Sequence, residues 1–423
     1  MSQLKQRIAS IAKNKEAKTV AGNFMWLSAL QVAGYVFPLI TMPYLARVIG
    51  VEGFGKIAFA SAIMVWIQTI ADWGFNLTAT RDVAQNRDNK EKVSEIFSNV
   101  LWARCLLMLL SFVVLILLII LVPKFRENSA IILVTFLMIP GHILFPDWFF
   151  QAIEKMKYTT ILNVVMKLFF TITVFMFVRT PEDYVIQPLL TSMGYVVSGI
   201  IALYLILCKW KIRIKAPDYK NIIHTIKGST DVFINHLMPN LYNSFSTMLL
   251  GFFGGGSAAM GVLDGGNKFV HIGSNLQTTI NRTFFPFLSR KIEKHNTYVG
   301  ICLGISLSLC IVFFFGAPLF VRLFLSPEFD GAVSVIRIRS ISLICHAIFN
   351  AYGANYLIIK HETGLLRNIT MYCSFAGFVI SWPLVYYFGY IGASLTMTIS
   401  LALLAIFTYV AAVKIKQETS KHN

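Results

Sequence analysis

Twelve apolar blocks, each near the length that crosses a bilayer core, run from one end of this chain to the other. They cover residues 21–45, 57–80, 97–122, 129–152, 158–178, 184–208, 229–253, 257–288, 298–321, 331–359, 365–387 and 389–413. A segment in lipid must pair its own backbone N–H and C=O groups, which leaves helices or a closed barrel. Barrel strands alternate apolar and polar side chains, and these blocks do not. The pattern predicts an all-α polytopic membrane protein with twelve transmembrane helices. Composition agrees: of 423 residues 56% are hydrophobic and 13% charged, where a soluble domain carries about 25% charged residues.

The net charge of +17 would point to nucleic acid only if the bases formed a patch on a soluble domain. No such domain is visible, and no nucleic-acid partner is expected. The N-terminus, every second loop after it and the C-terminus hold 24 of the 37 Lys and Arg residues. The other loops hold 6, and 7 more lie inside spans. That bias predicts cytoplasmic termini, and an even number of crossings returns the chain to its starting side. The six cysteines lie in or beside apolar runs without a CxxC pair or a Cys/His cluster. They read as small apolar residues, and no metal is expected. The first block runs to Leu45 without a small-residue cleavage site, so no removed signal peptide is indicated.

The most basic loop, KWKIRIKAPDYKNIIHTIKG at 209–228, falls at the midpoint. It divides the chain into an N-terminal six-helix bundle (1–208), a cytoplasmic linker (209–228) and a C-terminal six-helix bundle (229–423). A faint repeat accompanies the division: Gly50 and Gly55 correspond to Gly256 and Gly261, between the first two helices of each half. Two similar halves around a midplane cavity are a common transporter plan.

Charges inside the spans carry the functional signal, because each costs a few kcal/mol at a helix centre. In the eighth span Asp264, Lys268, His271, Asn275, Thr279 and Arg282 recur at helical spacing and fall on one face. Asp264 and Lys268 make an i,i+4 pair with the acid on its favourable side. The stripe is either a polar seam between packed helices or a cavity wall, and the number of ionisable groups favours the wall. The seventh span adds Asp231, Asn235, His236, Asn243 and Ser246, and the first adds Asn23, Gln31 and Tyr35 near Pro38. Lys167 lies mid-span in the fifth helix, too deep for easy snorkelling, so it pairs with an acid or faces a wet cavity. Arg337 and Arg339, two residues apart, cannot share a face, and one of them is free to snorkel outward. Asp147 follows Pro146 within FPDWFFQAIEKMKY, eight residues before Lys155. It reads as a helix-end feature paired with a base, or as a hinge at the cytoplasmic mouth, with its aromatic neighbours in an interface belt. Asp72, nine residues before Arg81, is its counterpart in the second helix.

Three stretches carry a family resemblance: PLITMPYLARVIGVEGFGKIAFA (38–60), DWGFNLTATRDVAQNRDN (72–89) and PDWFFQAIEKMKY, with GYIGAS (389–394) as a weaker fourth. They resemble the Wzx-type O-antigen flippases, in the polysaccharide branch of the multidrug/oligosaccharidyl-lipid/polysaccharide (MOP) exporter superfamily. The resemblance implies two bundles in a MATE-like V that opens alternately to each side of a bacterial inner membrane. It implies an undecaprenyl-pyrophosphate-type lipid-linked oligosaccharide as cargo, flipped from the cytoplasmic to the periplasmic leaflet. Membrane lipid, polysaccharide polymerase and chain-length proteins are the partners to expect. No catalytic residues follow, since the family has no reaction to catalyse.

That cargo suits the residues. A pyrophosphate binds Lys or Arg through charge-assisted hydrogen bonds, and sugars need amides and hydroxyls. The candidate cavity set is Lys268, Arg282, Asp264, His271, Asn275, Asn235, Gln31 and Lys167, with Asp72, Asp147, Pro146 and Pro38 as gating or structural positions. Helical rise puts Lys268 and Arg282 about 21 Å apart, too far for one pyrophosphate. The deeper Lys268 is expected on the phosphates and Arg282 at the cytoplasmic mouth. The glycine cluster GFFGGGSAAMGVLDGG lacks the spacing of a phosphate loop. No cofactor is expected, and coupling to H⁺ or Na⁺ stays open. The alternatives are an organic-cation exporter, which would want an acidic, aromatic cavity, and a membrane enzyme of polysaccharide assembly, which would want larger outward loops.

Overall fold

A computed structural model describes residues 15–253 and 255–421, except the side chains of 15–21, 24, 282, 286, 287 and 419–421. Every described element is helical. The long ones are α1 (Lys15–Val48), α2 (Gly50–Asp72), α3 (Phe75–Gln85) and α4 (Lys90–Leu121). Next come α5 (Pro123–Glu127), α6 (Ser129–Phe136), α7 (Met138–Leu144), α8 (Asp147–Ala152), α9 (Met156–Phe177) and α10 (Ile186–Tyr204). Then follow α11 (Tyr219–Leu237), α12 (Ser244–Phe253), α13 (Gly256–Arg290), α14 (His295–Phe324), α15 (Ala332–Ile348) and α16 (Thr363–Lys421).

Among the described residues, nine helical stretches are long and apolar enough to cross a membrane. The longest, Thr363–Glu418, is bent at Gly389, whose φ of 55° and ψ of −129° divide it into two spans. The two expected spans missing from that set are helical too, as α11–α12 and α13. Their polar residues, the same ones singled out by the sequence, dilute the apolar character. The protein is an all-α, multi-pass membrane protein.

The chain forms two compact units. One comprises Met1–Thr41, Ile67–Arg179 and Val185–Phe233; the other comprises Met42–Trp66, Thr180–Tyr184 and Ile234–Asn423. Contact thus assigns the end of α1 and most of α2 to the unit that holds the C-terminal helices.

The core of the first unit lies where the sequence suggested an interfacial belt. Phe145, Trp148, Phe149 and Phe150 are all buried, and they pack with Phe97, Phe75 and Ile206. Phe150 stacks on Tyr158 at 5.9 Å, and Trp210 meets Phe149 and Phe150 edge-on. These rings fill a core because the chain breaks just before them. Phe145 and Pro146 are not helical (Pro146 has ψ 77°), and α8 restarts at Asp147. Pro146 has no N–H for a helical bond, so the expected continuous helix over 129–152 is three short ones instead.

A second break separates α2 from α3 at Trp73 and Gly74, with φ values of 39° and 77°. A Cβ on Gly74 would stand 2.7 Å from Val232 of α11, so glycine is required both by conformation and by space. Trp73 stacks on Phe233 at 3.8 Å and donates its indole N–H to the Ile226 carbonyl at 3.2 Å.

In the second unit the glycine repeat has a physical counterpart. Gly50 and Gly256 both have positive φ, 64° and 77°, and open α2 and α13. Gly55 and Gly261 lie one turn further in, where the two helices touch backbone to backbone. A Cβ on Gly55 would overlap the Ser257 carbonyl, and one on Gly261 would overlap the Val51 carbonyl. Small residues allow such close approach where lipid offers no hydrophobic drive for association. Glu328 finishes the corner by accepting the Val51 N–H at 3.1 Å.

Forcing a side chain into such a contact typically costs about 1–3 kcal/mol. Gly55→Leu and Gly261→Leu are therefore expected to lower the melting temperature and the yield of detergent-extracted protein. Gly304→Leu, at a glycine with nothing within 4 Å, should leave both unchanged. Equal melting of all three variants would refute the close crossing.

Candidate functional site

The stripe on α13 begins with an ion pair. Lys268 Nζ lies 2.7 Å from Asp264 Oδ2, and the same ammonium sits 4.2 Å over the Phe54 ring. One turn of helix brings acid and base together, and α2 supplies the aromatic face. Further along the face, His271 and Asn275 are exposed. The opposite face is packed: Asn267, Phe269, Val270 and Gln277 are buried. The side chain of Arg282 lies outside the described residues. Asn235 is exposed near the end of α11.

The buried face of α13 carries a polar network that the stripe did not reveal. Arg339 of α15 is 7% exposed and donates from Nε to Asn267 Oδ1 at 3.0 Å. Among the described residues no carboxylate lies within ion-pair distance of it. Gln277 donates to Ser306 at 2.8 Å and to the Leu343 carbonyl at 2.9 Å, and its oxygen lies 2.8 Å from His346 Nδ1. Arg337 turns the other way: it is exposed, with its guanidinium 5.6 Å over the Phe314 ring and a bond to the Phe314 carbonyl. The sequence showed that the two arginines part company; packing decides which one goes inside.

In the first unit Lys167 is half-buried and has no ion-pair partner among the described residues. The acid that one reading required is absent there. Its ammonium abuts α1, 3.5 Å from where a Cβ on Gly34 would stand. Pro38, exposed within α1, cannot donate to the Gly34 carbonyl, so the ammonium lies beside a turn short of one helical donor. Gln31 is half-buried on the same helix, and the buried Tyr35 hydroxyl has no partner among the described residues.

Asp72 and Asp147 flank the two helix breaks. Asp72, the last residue of α2, is hydrogen-bonded to Arg104 of α4. Arg104 is 3% exposed, and its Nε and Nη1 have no partner among the described residues. Asp147 opens α8 and accepts the Trp148 N–H at 2.8 Å; it too is within electrostatic reach of Arg104. Beside them His142 stacks on Tyr195 at 4.1 Å and lies 3.4 Å from Gln68. The buried guanidinium on the unbroken α4 thus bonds one acid, Asp72, at the end of a broken helix. Asp72 finds its base in α4 rather than at Arg81, which pairs with Asp82.

These features define an all-helical membrane protein with ionisable side chains displayed inside its spans, the equipment of a transporter. Residues 20–292 match the family described as polysaccharide biosynthesis protein, and the chain belongs to that family. It is 27% identical over 392 residues to an Escherichia coli (strain K12) protein named "Putative O-antigen transporter", covering 91% of this chain and 94% of that one. The fold is similar to that of the lipid II flippase MurJ in an inward closed conformation, with TM-score 0.70, 13% identity, and 92% and 87% of the two chains covered. It is similar also to an outward-facing multidrug resistance MATE transporter of the MOP superfamily, with TM-score 0.64, 14% identity, and 95% and 97% covered.

Removing one partner of a buried ion pair typically costs about 3–5 kcal/mol, because the other charge is stranded. Arg104→Gln, which strands Asp72, is expected to lower the melting temperature of the purified protein more than Asp72→Asn. The double variant Asp72→Asn/Arg104→Gln should melt above Arg104→Gln. Additive losses in this cycle would show that the two side chains are not coupled.

Proposed function

We propose that the protein flips a polyprenyl-pyrophosphate-linked oligosaccharide from the cytoplasmic to the periplasmic leaflet of a bacterial inner membrane by alternating access. The observation that carries this reading is the exposed polar face of α13. A seam between packed helices would bury His271 and Asn275, and a lipid-facing helix would not carry them. An exposed ionisable stripe at membrane depth belongs against water.

The charge balance selects the cargo. Among the described residues Lys167 and Arg339 have no acid partner, and Lys268 has one. Spans with more bases than acids attract an anion and repel an organic cation, which weighs against the multidrug alternative. A pyrophosphate can replace Asp264 on the Lys268 ammonium through charge-assisted hydrogen bonds. The released Asp264 carboxylate can then take up a proton for the return step, which makes H⁺ the coupling ion to test first. Asn275 and Asn235 supply amides of the kind sugars need. Arg282 lies 14 residues beyond Lys268 in sequence and would guide the anion at the cytoplasmic end of the helix. Transport, not bond-breaking chemistry, is the work of such a site, with the polysaccharide polymerase and chain-length proteins acting on what is delivered.

The two helix breaks give the movement its hinges. Phe145–Pro146 and Trp73–Gly74 are where α7–α8 and α2–α3 can bend, and Arg104 ties the second of them to α4 through Asp72. The names borne by the E. coli relative and the MurJ neighbour accord with this reading.

In a strain lacking its own flippase, Lys268→Ala is expected to abolish surface polysaccharide while the folded protein persists in the membrane. Lys268→Arg should keep part of the activity, since charge survives while geometry changes. Wild-type polysaccharide from Lys268→Ala would sink the cationic site.

A further inference from the structure

The second unit has another open site, at the end of the helices away from the corner where α2 meets α13. A groove of about 440 Å³ runs between the start of α14, the π-helical turn after α15 (Phe349–Leu357) and the end of α16. Its wall contains Tyr352, Tyr356, Tyr409, Asn296, Lys416 and Gln417, and no Asp or Glu. The rings support one another: Tyr352 meets Tyr409 edge-on at 5.0 Å. None of the three tyrosine hydroxyls has a hydrogen-bond partner among the described residues. Lys416 makes a single 3.4 Å bond, to Asn296 Oδ1. Phenol, ammonium and amide donors thus converge on a space in which no carboxylate competes. Donor-rich walls of this kind recognise an oxyanion.

The surroundings say which one. The loop before α14 carries Arg290, Lys291 and Lys294, and the end of α16 carries Lys414, so by the loop-charge rule this is the cytoplasmic side. Beside Tyr409 on α16, Ile406, Phe407 and Val410 are more than half exposed, an apolar face suited to acyl chains. A polar groove that continues into such a face, at the level of an aromatic belt, fits a lipid whose phosphate sits in the groove and whose chains follow the helix.

We propose that this groove binds an anionic phospholipid headgroup of the inner leaflet, Lys416 and the tyrosine hydroxyls holding the phosphate. The site is separate from the cationic stripe of α13 and stands whether or not the cargo is the one proposed above.

Native mass spectrometry of the purified full-length protein, offered equal amounts of phosphatidylglycerol and phosphatidylcholine, tests it. Phosphatidylglycerol should be the lipid retained. Lys416→Ala should lower its retention about fivefold, the effect of one lysine near an anionic surface. Tyr409→Phe should lower it less, and Lys414→Ala, outside the groove, should not change it. Millimolar inorganic phosphate should not displace it. Equal retention of the two lipids, or equal losses from Lys414→Ala and Lys416→Ala, would overturn the proposal. So would displacement by inorganic phosphate, which would mark a free-phosphate site, or retention of a polyprenyl phosphate in place of phosphatidylglycerol, which would make the groove part of the cargo route.

Discussion

A charge within the thickness of a bilayer must have a partner, water or a way out, and the rest of this structure is organised by that requirement. The described intramembrane ions differ in how they meet it. Arg104 and Asp72 neutralise each other. Arg337 leaves the helix pack for an aromatic ring and a carbonyl at its surface. Lys268 is held by Asp264 yet stays partly exposed. Among the described residues Lys167 and Arg339 have no acid, and an ion in that position is a hypothesis about function by default. The transport reading rests on Lys268 and on the exposed face of α13 that carries it.

The second constraint is backbone pairing. Lipid tolerates non-helical backbone only where protein or water satisfies it, so each break in a span needs support. At Trp73–Gly74 the support is a stacked ring and an indole bond to the Ile226 carbonyl. At Phe145–Pro146 it is the aromatic core that follows. Both breaks carry a carboxylate, and Asp72 at one of them is held by Arg104 of the unbroken α4. An unbroken helix beside jointed ones suits the alternating access proposed above.

The fold was legible in the sequence because block length and loop charge are one-dimensional signals of a bilayer. The helices, the Asp264–Lys268 pair and the exposed face of α13 all follow from spacing along one chain. The glycine repeat was legible as a pattern, but its meaning as a backbone crossing needed the neighbouring helix. What spacing could not give was pairing across helices. Arg104 stands alone in the apolar run of α4, and nothing local ties it to Asp72, 32 positions earlier. Arg339 could not be told from Arg337 until packing set their directions. The FPDWFF aromatics read as an interface belt because their composition suits one; only the break at Pro146, which turns them inward, places them in a core. The remaining residues of the predicted cavity, Gln31, Asn235 and Lys167 among them, have their local surroundings defined here, and their part in cargo binding is the proposal developed above.

The central claim is that cations inside the spans select a lipid-borne anion for transport. Purified protein reconstituted in liposomes can be given two fluorescent polyprenyl glycolipids that differ only in the linkage, pyrophosphate in one and a neutral ether in the other. A membrane-impermeant reductant then reports how fast each crosses between leaflets. The account predicts protein-dependent flipping of the pyrophosphate lipid and little or none of the neutral one. Equal flipping of both, or flipping of neither above protein-free liposomes, would contradict it.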